Sequence, residues 1–217
     1  MFMSNWENLS FPNSGIKPFT IHSSRTEGEN FLSELASTAK REYSWEFVAE
    51  LEEWRYVPAK AVTLQTKRFL GIGATTANKM GLVLPESQFI PSGESSSYYH
   101  IHPRAIYEKM RNLHPTILPI KNQLPSSEDI RHCIEMTNNG YESVRIVTEL
   151  GVTALRYDDA VTRINGGSIR IPGYSADEQS IIRLSDVYGV HDTIHEVIAN
   201  MNDSYDGQIA LDYREIN

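Results

Sequence analysis

Two histidines one residue apart close the segment Ser97-Tyr98-Tyr99-His100-Ile101-His102-Pro103, and they constrain the fold more than any other feature of the chain. In an extended segment side chains alternate with period two, so both imidazoles leave the same face. Further on, Pro125-Ser126-Ser127-Glu128-Asp129-Ile130 has the composition of a helix start. An aspartate in that first turn supplies a third ligand if the helix end meets the strand end. Three protein ligands and one open position make a catalytic zinc site rather than a structural one. An HxH pair alone is common on protein surfaces; HxHP followed by PSxxD is a much more specific pattern.

The rest of the chain supplies the elements to carry such a site. Residues 1–28 are rich in Ser, Asn, Pro and Gly and read as an arm, with a short strand at Phe19-Thr20-Ile21. Phe31, Leu32, Leu35, Ala36 and Ala39 have helical spacing, which predicts a helix from an N-cap at Asn30 to about Tyr43. Trp45 to Leu51 alternates as a strand, and Ala61 to Thr66 reads as another. Lys67 to Ser97 is a long connection with a short apolar segment, Leu82-Val83-Leu84. A connection of this length in a compact domain is usually functional or mobile.

Beyond the histidines, Arg104 to Leu113 has the spacing of a short helix, and His114-Pro115, Leu118-Pro119 and Leu124-Pro125 punctuate the chain from there to residue 125. Ile130, Cys133, Ile134 and Thr137 predict a helix from Ser126, closed at Asn138-Asn139-Gly140. Ser143 to Thr148 and Val152 to Tyr157 form two alternating strands. The tail holds a loop at Asn165-Gly166-Gly167, a short strand at Ser168 to Ile171, and a capping box at Ser175 to Glu178 that opens a helix. That helix is interrupted at Gly189 and resumes through His195, Val197, Ile198 and Met201.

Composition narrows the class of function. A net charge of −8 over 217 residues argues against a nucleic-acid footprint, which needs clustered Lys and Arg. The single cysteine, Cys133, excludes an intramolecular disulfide and fits a reducing compartment; its place between Ile130 and Ile134 makes it a core thiol rather than a nucleophile. No apolar stretch is long enough to span a bilayer, and Met1 to Glu7 lacks the marks of a signal peptide. The expectation is a cytoplasmic protein.

Taken in order, the chain runs helix, strand with Glu46, strand, long loop, HxHP strand, PSxxD helix and strand hairpin. From about residue 30 to residue 157 this order, with HxHP and PSxxD, resembles the JAMM (MPN) metalloprotease family. Arg145-Ile146-Val147-Thr148 followed by Gly151-Val152 is similar to the strand pair after that family's metal helix. The resemblance implies an α/β (α+β) fold with a mixed, curved sheet flanked by helices. Its division would be an arm at 1–29, a metalloprotease domain at 30–160 and a C-terminal helical extension at 161–217. In the family the serine follows the second histidine after a short loop; here residues 103 to 125 intervene. Loop closure is cheap, about 0.6 kcal/mol per doubling of length, so the insertion at about 103–124 can arch over the cleft as a lid or specificity element.

By the same resemblance His100, His102 and Asp129 hold Zn2+, Glu46 is the general base and then acid, and Ser126 donates to the oxyanion. Glu42, Glu50, Glu52 and Glu53 lie nearby; Glu46 is preferred because it heads the apolar strand after the first helix. The implied reaction is hydrolysis of the isopeptide or peptide bond after the C-terminal glycine of ubiquitin or a ubiquitin-like protein. Bacterial and viral ubiquitin-like conjugation systems, antiphage operons among them, use JAMM domains in this way. Two rival functions are a non-catalytic MPN-type scaffold and a metal-dependent hydrolase of another amide. His191 and His195, four apart, lack the glutamate of an HExxH motif, and Gly71-Ile72-Gly73 lacks the third glycine of a dinucleotide fingerprint.

Overall fold

Ser24 and Glu27 start the first helix. The Ser24 hydroxyl accepts the Glu27 amide and the Glu27 carboxylate accepts the Ser24 amide, a reciprocal capping box. The helix therefore covers Arg25–Thr38 (α1), earlier at both ends than the spacing around Asn30 suggests, and Asn30 lies inside it. Gly28, Leu32 and Ala36, at intervals of four, form its buried stripe. The computed structural model describes residues 20–57, 60–64, 79–83, 90–105, 117–164 and 178–216.

The strands in chain order are β1 (Thr20–His22), β2 (Ser44–Val48), β3 (Glu53–Val57), β4 (Lys60–Leu64), β5 (Lys79–Val83), β6 (Ser96–Ile101), β7 (Ser143–Val147), β8 (Gly151–Tyr157) and β9 (Ile209–Glu215). β2 is shorter than its apolar run: Ala49–Leu51 tighten into a 3-10 turn and Glu52 takes a left-handed conformation, φ 46°, to reverse the chain into β3. Among the described residues β4 and β5 pair only with each other. The other seven strands form one open sheet in the order β1-β3-β2-β6-β7-β8-β9. Every neighbouring pair in it is antiparallel except β6 and β7. The fold is thus mixed α/β.

A parallel pair needs a crossover connection. Among the described residues the crossover carries the helices α2 (Ile117–Gln123) and α3 (Ser127–Asn138). α2 falls in the stretch read as Pro-punctuated chain. Pro119 sits in its first turn, where a missing N–H leaves no hydrogen bond unmade. α3 follows the expected pattern, with Ser126 as N-cap and Gly140 beyond its end at φ 104°. After β8 come α4 (Asp159–Ile164), α5 (Glu178–Tyr188) and α6 (Val190–Tyr205), the last two broken at Gly189 as the sequence suggests. β9 then returns along the full length of β8. The C-terminal segment, expected to be helical, therefore ends as an edge strand of the main sheet.

Helices cover both faces of the sheet. On one, Trp45, Phe47, Trp54, Tyr99, Ile101 and Val147 pack under Leu32 and Ala36 of α1. On the other, Tyr98, Val144, Ile146, Leu155 and Leu211 pack under α2, α3, α5 and α6. β2 and β6, in the middle, are buried along their whole length. Among the described residues no helix is long and apolar enough to cross a membrane. The expected helix at 106–113, loop and strand at 165–171, and capping residues 175–177 lie outside the described residues, as do His114 and Gly71-Ile72-Gly73.

Candidate metal centre

β6 delivers His100, and the chain continues extended for one more residue pair. The His102 amide donates to the Val147 carbonyl at 2.9 Å, which extends the parallel ladder past the strand end and keeps His102 in register. Both rings consequently point to the α3 side, buried, with centroids 4.9 Å apart.

Asp129 occupies the third position of α3, and its two carboxylate oxygens have separate tasks. Oδ2 accepts the Ser126 amide at 2.7 Å, while the Ser126 hydroxyl accepts the Asp129 amide at 3.3 Å. Oδ1 is left for the imidazoles, 3.1 Å from His100 Nε2 and 3.6 Å from His102 Nε2. The two Nε2 atoms are themselves 3.1 Å apart. Four-coordinate zinc with bonds of about 2.0–2.1 Å separates neighbouring ligand atoms by roughly 3.3 Å. The observed triangle has sides of that size, so His100, His102 and Asp129 together could hold a metal ion.

The charges agree with that use. Burial opposes a charge on His102, but the adjacent Asp129 carboxylate, helped by Glu42 and the Asn122 carbonyl, lifts its pKa to about 9. Burial likewise pushes Asp129 up, and the two histidines more than reverse it, holding the carboxyl well below its ordinary range. A cluster that gathers positive charge in this way accepts a cation in place of protons. His102 Nδ1 lies 2.9 Å from the Asn122 carbonyl; a carbonyl only accepts, so Nδ1 carries a proton and Nε2 faces the cluster. His100 Nδ1 is buried and has no hydrogen-bond partner among the described residues.

Glu46 shares this face but stands off the triangle. It pairs with Tyr98, whereas His100 pairs with Ser44. Its carboxylate is held by Ser92, whose amide donates at 2.6 Å and hydroxyl at 2.7 Å. Its charge bears on Tyr141. Glu42 is nearer in register. The Ile101 amide donates to the Tyr43 carbonyl at 3.1 Å, so the β2–β6 register runs on and sets Glu42 opposite His102. Glu42 charge acts on both His102 and Tyr98.

Other residues singled out from the sequence have structural places. Cys133 is buried in the core, where burial pushes its thiol up to about 11. His191 Nδ1 bonds the Tyr213 hydroxyl at 2.7 Å, and His195 stands edge-on to the same ring. Asn122 was not foreseen: it follows Ile117 and Ile120 in a segment whose prolines mask the helical spacing. His132, one turn beyond Asp129, was also missed; its ring is 6.4 Å from that of His100. In comparisons with known proteins, the chain matches no family model, no curated protein and no solved structure.

Proposed function

We propose that the protein is a zinc-dependent hydrolase of the JAMM type, cutting the isopeptide or peptide bond after the C-terminus of ubiquitin or a ubiquitin-like protein. The observation that carries the reading is the ligand triangle: two imidazole nitrogens and one carboxylate oxygen at 3.1–3.6 Å, on the elements where HxHP and PSxxD put them. It lies at the carboxyl end of β6, where the crossover to the parallel β7 begins, and open α/β sheets bind ligands outside the carboxyl ends of their strands.

Bound there, zinc supplies a Lewis acid that lowers the pKa of coordinated water towards about 7. The chain provides the rest. A carboxylate beside the candidate ligands would accept a proton from the attacking water and return it to the leaving amine. Glu42 is better disposed for this than Glu46, because the strand register sets it opposite His102 and its charge acts on that ring. Ser126 accepts the Asp129 amide and keeps its own O–H to donate, which suits a developing oxyanion.

The test is metal analysis of purified protein together with cleavage of a panel of ubiquitin-like fusion and isopeptide substrates. One zinc per chain is expected, with cleavage lost in Glu42→Gln while zinc is retained. Loss in Glu46→Gln and not in Glu42→Gln returns the base to Glu46. Zinc uptake with no amide cleaved identifies a scaffold, and no uptake removes the metalloenzyme reading.

A further inference from the structure

His102 stands one residue beyond the last residue of β6, where a strand no longer fixes a side chain from both sides. Its ring Nδ1 and its backbone carbonyl are both gripped by one residue. Asn122 accepts the ring Nδ1–H on its backbone carbonyl at 2.9 Å, and its side-chain amide donates to the His102 carbonyl at 2.9 Å. The accepting carbonyl belongs to the last turn of α2, where helix geometry leaves C=O groups without an intrahelical donor.

α2 is in turn fixed by its final residue. The Gln123 side chain is wholly buried; its amide donates to Thr153 Oγ1 at 2.7 Å, and its Oε1 accepts the Thr148 hydroxyl. Thr153 Oγ1 also donates to the Gln123 carbonyl at 3.1 Å. Ile117 and Ile120 anchor the same helix in the core. The described end of the 103–124 insertion is therefore bolted to the β7–β8 hairpin.

We propose that Asn122 is a positioning residue for the metal centre: through this two-point grip it fixes the orientation and tautomer of His102, so that Nε2 presents a lone pair to the ion. A second partner of this kind normally raises a ligand's basicity and contributes 10–100-fold in metal affinity. The inference rests on the metal-site reading above, and it assigns to the insertion a role in building the site.

Zinc affinity, by competition with a chromophoric chelator, and the visible spectrum of the cobalt-substituted protein are compared for wild type, Asn122→Leu, Asn122→Asp and Ile120→Val, with thermal unfolding of each zinc-free form. Ile120→Val trims a core anchor of α2 and leaves Asn122 intact, so it reports what a purely structural weakening does. The expected result is a 10–100-fold loss of zinc affinity and an altered cobalt spectrum in both Asn122 variants. Ile120→Val should match wild type in both readouts. Affinity within threefold of wild type in either folded Asn122 variant, or losses that simply follow the drop in unfolding temperature across all three variants, overturns the assignment. A wild-type protein that takes up neither metal overturns the metal site itself, a distinct failure.

Discussion

His132 gives the sharpest quantitative test of the electrostatics around the centre. It lies one turn past Asp129 on α3, its ring 5.1 Å from that of Tyr98 and edge-on to it. Burial, then the nearby charge of His100, depress its pKa to about 4, against the pull of Asp129. The ordinary value is about 6.5, so between pH 6.5 and 4 the unfolded chain takes up a proton that the folded chain refuses. Stability rises with pH wherever the unfolded state holds more protons, so the folded state loses ground as pH falls through this window. At about 1.4 kcal/mol per pH unit the loss reaches roughly 3 kcal/mol. His102 has the opposite sign and another window: its raised pKa stabilises the fold below pH 6.5, and that stability is lost as pH rises towards 9. Asp129, depressed, costs stability only as pH falls through and below the usual carboxylate range. His132→Phe keeps a ring against Tyr98 and removes the titration. Urea unfolding of zinc-free protein at constant ionic strength, from pH 4.5 to 7.5, should show the variant within about 1 kcal/mol of wild type at pH 7.5 and about 2–3 kcal/mol more stable at pH 4.5. Parallel pH profiles, or a variant less stable at pH 4.5, would refute the account.

Two further predictions concern the frame that holds the site. In Gly28→Ala the new Cβ would lie 2.1 Å from Cε2 of the fully buried Trp54, whose indole donates to the Ser24 carbonyl and has little room to retreat. Overpacking of about 1–3 kcal/mol outweighs a helix-propensity gain of under about 1 kcal/mol, so the unfolding temperature drops while zinc affinity, set on the opposite face, stays unchanged. In β9 the Leu211 amide and carbonyl, on the outer edge of the sheet, are both taken by the side chain of Asn202 from α6. Asn202→Ala should cost about 1–2 kcal/mol in thermal unfolding and bare a strand edge, detectable as concentration-dependent association in sedimentation.

What the sequence disclosed was local chemistry. His100, His102, Ser126 and Asp129 were legible because each relation between neighbours is a property of a short segment: period two on a strand, and a box of four residues at a helix start. The missed elements have physical reasons. α2 was hidden because the rule that a residue before proline avoids helix is weakest in the first turn, where Pro119 sits. Ser24-x-x-Glu27 carried a start signal, masked by its Ser-rich surroundings. β9 alternates Ile209, Leu211 and Tyr213 with exposed residues, a half-buried edge pattern that its Asp, Arg and Glu disguise. The choice between Glu42 and Glu46 was illegible for a deeper reason. The two share a parity, Glu42 just before β2 and Glu46 within it, and only the pairing of Ser44 with His100, set between distant segments, puts one opposite His102 and the other opposite Tyr98.

The pairing of β6 with β7 explains why the site forms where it does. Parallel strands oblige the chain to leave the carboxyl end of β6 and return at the far end of β7, so a helix must start near the point where β6 stops. Histidines at that strand end and an acid at that helix start then converge by topology, whatever length of chain is looped out between them. Aspartate suits the helix position better than glutamate would. Its short carboxylate closes the capping box through Oδ2 with Oδ1 turned outward to both imidazoles. A glutamate closing the same box carries an extra methylene, which pushes its second oxygen out of the 3.1–3.6 Å triangle. Asp129→Glu should therefore preserve α3, as measured by unfolding of the zinc-free protein, while weakening zinc at least tenfold. A variant that binds zinc as tightly as wild type would show that the box and the ligand do not compete for one carboxylate.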